Sequence, residues 1–141
     1  MASELKVDKF TGVTTAGSID VTGEGNSTTT NLQQGLVKNW QHHTNGTTLE
    51  DSFNQSTLTD NGTGDYTMTF TNSMANTDYI TVFHQRPHDN TSGSHNQITG
   101  TRLDTLLSTG SYDQHHGQVS DGNIGSHTDG QTGGAVLGDL A

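Results

Sequence analysis

The segment from Leu58 to Phe83 constrains the fold most, because apolar and polar residues alternate along it. Tyr66, Met68 and Phe70 alternate with threonines in the sequence DYTMTF. Residues two apart in a strand lie on the same face of a sheet. The pattern therefore predicts an antiparallel strand with one apolar face and one hydroxyl-bearing face.

Neighbouring sequences predict further strands of the same domain. DSFNQSTLTDNG predicts one strand that ends at Asn61-Gly62, a pair that favours a hairpin turn in which both central residues adopt positive φ. YITVF is apolar on both faces and predicts the most buried strand, and GAVLGDLA predicts a closing strand. Residues 84–135 are polar and predict loops, within which TRLDTLLS is compatible with either a short helix or a strand.

The chain has few residues with which to build an interior of its own. Leu, Ile, Val and Phe together make up 25 of the 141 residues, which is below the share of roughly 20% under which disorder becomes the usual expectation. However, the chain contains a single Pro and 25 Thr, and threonine favours strands. Disulfides cannot supplement the core, because there is no Cys. We therefore expect a mainly β protein, an antiparallel β-sandwich-like domain whose core is shared between subunits.

The N-terminal 30 residues predict an extended arm. ELKVDKFTGV and SIDVTGEG alternate weakly and predict two short strands. These strands carry too little apolar surface to fold alone, so the arm is expected to lie on trimer mates or on a larger particle. Leu5, Val7 and Phe10 are the candidate attachment residues.

Residues 31–40, NLQQGLVKNW, predict a short helix. Leu32, Leu36 and Trp40 recur at helical spacing, and Thr30 with Gln33 forms a candidate capping box. Trp40 is expected to be a buried anchor between this helix and the sheet. Residues 41–141 then form a β-rich distal domain. The side chains predicted to pack in the core or between subunits are Trp40, Phe53, Tyr66, Met68, Phe70, Tyr79 and Phe83.

Composition argues against several classes of function. The formal net charge is −10 and the five Lys and Arg residues are scattered, whereas nucleic-acid binding needs clustered basic residues. An apolar run long enough to cross a membrane is lacking, so membrane insertion is not expected. The N-terminus also lacks the pattern of a secretory signal.

The eight histidines do not form a metal-binding motif. His42-His43 and His115-His116 are adjacent pairs, and neighbours in a strand point to opposite faces. We predict no metal site within one chain and no cofactor, although a metal held on a three-fold axis by one histidine from each subunit stays open. The sequence also lacks a nucleophile–base motif or a framed pair of carboxylates, so we do not expect an enzyme.

Four segments together resemble a known family. SELKVDKFTGV, NLQQGLVKNW, LEDSFNQSTLTDNGTGDYTMTFTNSMANTDY and the terminal GDLA resemble tail-fibre and related virion structural proteins of marine bacteriophages. The resemblance covers residues 3–83 and the last few residues, and the block from Asp60 to Tyr66 is its most specific part. It implies a β-rich, trimeric particle component whose N-terminal part attaches to the virion. Residues 84–135 depart from the family pattern.

The resemblance and the composition together predict a bacteriophage virion structural protein. It would be a short homotrimeric fibre or spike, assembled in the host cytoplasm and mounted on other virion proteins of the tail or capsid. Tyr112, His115 and His116 are candidates for contact with a host cell-surface glycan. The alternative is a capsid decoration protein whose N-terminal arm adds a strand to a capsid subunit.

Overall fold

The structure, a computed structural model, describes residues 4–13, 19–23, 29–44, 48–85, 96–101, 107–120, 123–127 and 129–141. The chain divides into two compact units, residues 1–36 and 37–141. Among the described residues, none of the helices is long and apolar enough to span a membrane.

The described part of the first unit contains little regular structure. β1 (Asp20–Thr22) pairs antiparallel with β2 (Thr29–Asn31). The prediction of a strand in SIDVTGEG is thus confirmed, whereas residues 4–13 form no strand. Helix α1 (Leu32–Gly35) follows β2 directly and includes only four residues.

Helix α1 is shorter than the predicted helix over residues 31–40. Its N-cap is Asn31 rather than Thr30, because the Asn31 side chain accepts a hydrogen bond from the Gln34 backbone N–H at 3.0 Å. Gly35 is a poor helix former, and at Leu36 the backbone is already extended. Trp40 consequently belongs to a strand.

The second unit consists of two antiparallel sheets packed face to face, which confirms the predicted antiparallel β-sandwich-like class. Sheet I has the order β4-β3-β11-β7, and in sheet II β5 pairs with β6, which pairs with β9, and β9 also pairs with β8 and β10. The strands are β3 (Asn39–His43), β4 (Leu49–Phe53), β5 (Gln55–Gly62), β6 (Asp65–Phe70), β7 (Ile80–Gln85), β8 (Asn96–Thr101), β9 (Ser111–Ser120), β10 (Asn123–His127) and β11 (Thr132–Leu137).

The polar region predicted as loops supplies three of these strands, β8, β9 and β10. The prediction was wrong there because it followed side-chain polarity, whereas the ladder is formed by backbone groups that every non-proline residue carries. Residues 102–106, most of the undecided TRLDTLLS segment, lie outside the described part of the chain.

The most buried strand was also misassigned. β7, which contains most of YITVF, lies at the edge of sheet I, where Ile80 and Val82 are 62% and 53% exposed. The closing strand β11 was predicted correctly, and it lies inside sheet I between β3 and β7.

Between β4 in sheet I and β5 in sheet II, a single residue, Asn54, carries the chain from one sheet to the other. The segment DSFNQSTLTDNG therefore forms parts of two strands and not one strand. Asn54 has a φ of 57° between β4 and β5, a left-handed conformation that Asn tolerates better than most residues. Its side chain donates to the carbonyls of Lys38 and Asn72, at 3.0 and 3.1 Å, and accepts from the Asn72 backbone N–H at 2.7 Å. The corner is therefore fixed from both sides.

The hairpin after β5 forms, but its turn differs from the prediction. Gly62 and Gly64 adopt positive φ. Asn61 is still part of β5, and its side chain donates to the Thr67 hydroxyl at 2.8 Å. The turn is thus centred two residues later, on Thr63-Gly64.

The apolar core lies between the sheets and is largely aromatic. Tyr66, Met68 and Phe70 are buried, as their alternation predicted. Phe70 packs against Tyr79 and Tyr112, with ring centroids 5.8 and 5.7 Å apart. The core residues are Tyr66, Met68, Phe70, Met74, Tyr79, Tyr112 and Val136, with Phe83 partly buried against them.

We expect Asn54→Ala to destabilise the sandwich by about 2–4 kcal/mol, because it removes the corner hydrogen bonds and strains the left-handed backbone. Asn54→Gly loses the same side chain but tolerates the φ, so it should be about 1 kcal/mol less destabilising. Urea unfolding followed by circular dichroism measures both values. Equal stability of the wild type and Asn54→Ala would show that the corner is not required.

Candidate functional site

One end of the interior between the sheets is polar rather than apolar. Five fully buried side chains meet there, and we call them the polar core: Gln41, His43, Gln114, His116 and Thr132. Sheet I contributes Gln41 and His43 from β3 and Thr132 from β11, while sheet II contributes Gln114 and His116 from β9. The cluster therefore joins the two sheets.

Strand alternation places these residues inside. In β3, Gln41 and His43 point inward while His42, between them, is only half-buried. The register brings Thr132 opposite His43 and Gly134 opposite Gln41. Gly134 leaves room for the amide, since a Cβ there would lie 3.3 Å from Gln41 Nε2.

Amide hydrogen bonds cross between the sheets. Gln41 Nε2 donates to Gln114 Oε1 at 3.1 Å, which fixes the orientation of the Gln114 amide. Gln114 Nε2 then donates to the Thr132 hydroxyl oxygen and to His116 Nε2, the latter at 2.8 Å. One glutamine thus bonds to three members of the polar core.

These bonds determine where the imidazole protons lie. His43 Nδ1 is 3.3 Å from the Thr44 carbonyl, which can only accept, so Nδ1 carries the proton. His43 Nε2 is then an acceptor for the Thr132 hydroxyl at 2.9 Å. His116 Nε2 accepts from Gln114, so its proton is on Nδ1, a buried atom with no hydrogen-bond partner among the described residues. Both histidines are therefore neutral in this arrangement.

The hydrogen bonds of the polar core all run in one donor-to-acceptor direction. From Gln41 through Gln114 and Thr132 to His43 and the Thr44 carbonyl, each group donates to the next. Aligned hydrogen bonds polarise and strengthen one another in a low-dielectric interior. At the Gln41 end of this series, the Tyr112 hydroxyl lies near the Gln41 side chain but does not have hydrogen-bond geometry with it.

Burial also disfavours protonation of the two imidazoles. Desolvation lowers the pKa of His43. Desolvation, followed by the neighbouring His43, lowers the pKa of His116 to about 4. The two rings stack with centroids 5.6 Å apart, and Tyr66 packs against both. A proton on either ring would therefore be both desolvated and close to a second basic group.

Asp129 supports the edge of this cluster. Its Oδ1 accepts from the Gly64 backbone N–H and from the Tyr66 hydroxyl, both at 2.8 Å. These two hydrogen bonds lower the pKa of the Asp129 carboxyl. A charged acceptor outside the core thus fixes Tyr66, whose ring covers the two imidazoles.

The series of hydroxyl, imidazole and carbonyl is chemically suggestive of an activated nucleophile. However, Thr132 is only 1% exposed, and its oxygen already accepts from Gln114. A substrate atom has no approach to that hydroxyl in this conformation. What the arrangement does is fix the spacing and register of the two sheets.

Candidate metal ligands do not cluster in the described ranges. Among those residues, His, Asp and Glu side chains do not meet in groups of three or more. His42 instead pairs with Glu50 at 2.9 Å, and His115 with Asp65 at 3.0 Å, on the outer faces of sheets I and II. A metal on a three-fold axis needs three copies of the chain and stays a prediction.

Two of the three residues predicted for host contact are in the interior. Tyr112 and His116 are 1% and 0% exposed, so they cannot touch a glycan. They point inward because β9 alternates, a strand that composition did not predict. His115 alone points outward, where it faces Asp65.

The residues predicted for packing divide into two groups. Tyr66, Met68, Phe70 and Tyr79 are buried, and Phe83 is partly buried. Trp40 and Phe53 instead lie opposite one another on the outer face of sheet I, 39% and 51% exposed. Trp40 is not the predicted buried anchor. Its strand neighbours Asn39 and Gln41 point into the interior, so Trp40, between them, points outward.

Sequence reasoning missed the polar core itself. The signal lay in NWQHH and YDQHHG, where Gln and His recur every second residue. Such a pattern is interpreted as a solvated face, because buried polar residues are rare unless they are paired. Their partner Thr132 lies 89 residues from His43, beyond the reach of any local pattern.

Comparison with known proteins identifies no relative. No family model, no curated protein and no solved structure matches the chain.

We expect Thr132→Val to destabilise the second unit by about 2–4 kcal/mol, since the isosteric change leaves one N–H of the Gln114 amide without its acceptor and His43 Nε2 without its donor. Thr132→Ser keeps the hydroxyl and should lose less than half as much. Chemical denaturation of the two variants provides the comparison. A loss of stability in Thr132→Val no larger than that in Thr132→Ser would show that the hydrogen bonds of the Thr132 hydroxyl do not dominate the stability of the polar core.

Stability should fall as the pH decreases from about 6.5 to about 4. The unfolded chain, with ordinary histidine pKa values, binds protons in this range, while burial keeps His43 and His116 neutral in the fold. Unfolding therefore takes up protons, and His116 alone accounts for about 3 kcal/mol of lost stability. The lowered pKa of Asp129 acts only below its ordinary value of 3.8, outside this window.

Urea midpoints measured between pH 4 and pH 7.5 test this dependence. His116→Gln should be less stable at pH 7 but should show a flatter pH profile than the wild type, because it removes the buried imidazole whose pKa is lowered. A slope unchanged by His116→Gln would contradict the assignment.

Proposed function

We propose that this protein is a non-enzymatic structural component of a bacteriophage virion, a short homotrimeric fibre or spike mounted through its N-terminal unit. The observation that carries the proposal is the contrast between the two units. The second unit has a packed interior, whereas no described residue of the first unit is buried. A segment of this kind gains its packing from a partner.

The first unit exposes apolar side chains in residues 4–13, which form neither helix nor strand. Leu5, Val7, Phe10 and Val13 are exposed, Val13 to 93%. Exposed apolar groups of this density mark sites of protein association. An extended chain can bind a partner by adding backbone hydrogen bonds and placing alternate side chains in pockets, which suits attachment to other virion proteins.

The second unit suits display on a particle surface. Its sheets are joined by the directional hydrogen bonds of the polar core, so it needs neither a disulfide nor a large aliphatic interior. On the part of the outer face of sheet II whose side chains the structure describes, Thr67 donates to Asp113 at 2.7 Å. The resemblance of residues 3–83 to phage tail-fibre and virion proteins supports the same role. Host-glycan contact through Tyr112 and His116 is not part of this proposal.

Replacing Leu5, Val7 and Phe10 together by Asp should prevent incorporation into particles, because charged residues cannot enter the apolar contacts of an attachment site. The measurement is the amount of protein that co-sediments with purified virions after expression during infection. A decrease of at least about tenfold corresponds to the loss of about 1.4 kcal/mol or more of binding free energy.

Thr57→Asp, on an exposed strand of the second unit, is the matched control and should be incorporated normally. Absence of the wild-type protein from particles would rule out the virion role, and normal incorporation of the triple variant would rule out arm-mediated attachment. Gold labelling of the same particles distinguishes a tail fibre from a capsid decoration protein.

A further inference from the structure

Where the structure describes their side chains, the two outer faces of the sandwich differ in character. On sheet II, Asn61, Thr67 and Asp113 form a hydrogen-bonded polar surface. On sheet I the outer face carries large apolar side chains that are substantially exposed. Among the second-unit side chains that the structure describes, the exposed large apolar residues other than Val37 are all on this face: Trp40, Phe53, Ile80 and Val82.

The register aligns these side chains in a continuous row across all four strands. Phe53 on β4 lies opposite Trp40 on β3, Trp40 opposite Ala135 on β11, and Ala135 opposite Val82 on β7. We call this the apolar row, and Ile80 extends it along β7. Opposed side chains in adjacent strands are close enough to form one surface, about 14 Å from the first strand to the fourth.

A second row with charged and titratable groups runs beside it. Asp51 on β4, His42 on β3, Gly133 on β11 and His84 on β7 are aligned by the same registers. Glu50 adds a second carboxylate at the β4 end, 2.9 Å from His42 Nδ1. The row is therefore acidic at its β4 end and carries an imidazole at its β7 end.

We propose that the outer face of sheet I is the interface between copies of this chain, with the β4 end of one copy against the β7 end of the next. In that arrangement Phe53 of one copy packs against Val82 and Ile80 of its neighbour. The acidic end, Glu50 and Asp51, meets His84. The small Ala135 beside Trp40 leaves space at the middle of the face for the indole rings of the copies.

The acidic β4 end of the face is complementary to the β7 end, which carries His84, and not to a second β4 end. Contact between opposite ends forms either a two-fold dimer, in which each end meets the other end of the second copy, or a head-to-tail ring, and the trimer of the proposed function corresponds to the ring. Charge complementarity at the edge fixes orientation, while the apolar row supplies the burial. This inference rests on the self-association that the proposed function requires, and it identifies the surface responsible.

The size of the face determines how strong the association should be. A face of four strands and five residues measures about 20 Å by 16 Å, less than the about 800 Å² that each partner buries in a standard interface. We therefore expect reversible association, with assembly visible between about 1 and about 100 μM.

Trp40 is the single Trp of the chain and reports directly on this face. The molar mass of the 141-residue chain, measured by sedimentation or light scattering, should rise with concentration from the 15.0 kDa of one chain to a defined multiple of it. The Trp40 emission should shift to shorter wavelength, and iodide quenching should fall, over the same concentration range. Coincidence of the two transitions places the interface at Trp40.

Val82→Glu should weaken association at least about tenfold and keep Trp40 accessible to iodide at all concentrations. Thr57→Glu, an equally charged change on exposed β5 of sheet II, should assemble like the wild type. Circular dichroism verifies that both variants are folded. Assembly of Val82→Glu as strong as that of the wild type would overturn the assignment of the face while leaving self-association intact.

A charge exchange tests the contact between the ends independently. Asp51→Lys and His84→Glu should each weaken association, and the double variant should recover most of it. A double variant no better than the weaker single variant would refute the β4-to-β7 contact. A wild-type protein that stays at one chain mass, with unchanged Trp40 emission, would overturn both this interface and the self-association in the proposed function. A dimer lost on Val82→Glu would support the face but contradict the trimer.

Discussion

The hydrogen bonds of the polar core are the interactions on which the second unit depends. Gln114 on one sheet holds Thr132 and Gln41 on the other, and Thr132 in turn holds His43. A buried polar group without a partner costs more than its hydrogen bond contributes. The network therefore specifies one register for the two sheets, whereas an aliphatic interior would tolerate several. The same burial lowers the pKa of both imidazoles and so disfavours their protonation.

The aromatic end of the interior and the Asn54 corner complete this arrangement. Asn54 turns the chain within one residue, so β4 and β5, which belong to opposite sheets, are joined without a long loop. Phe70, Tyr79 and Tyr112 then fill the space that the corner encloses. A chain poor in Leu, Ile and Val thus obtains a packed interior from large rings and paired amides.

The outer surfaces of the protein carry the side chains through which we propose that it assembles. Among the described side chains, Thr67 and Asp113 on sheet II bond to one another, whereas sheet I presents Trp40, Phe53 and Val82. The first unit exposes further apolar side chains, among them Leu5, Val7 and Phe10. These are the surfaces through which we propose contact with a larger particle and with copies of the chain.

The sequence by itself determined the alternation within each strand, including the buried face of Tyr66, Met68 and Phe70 and the opposite directions of adjacent histidines. It did so because side-chain direction depends on local backbone geometry with a period of two. Only the tertiary structure decided which strands are neighbours, which strand is an edge, and that alternating Gln and His face inward. Those outcomes depend on contacts such as the hydrogen bond between Thr132 and His43, two residues that are far apart in the chain. Hydrogen bonds of this kind make a buried imidazole tolerable.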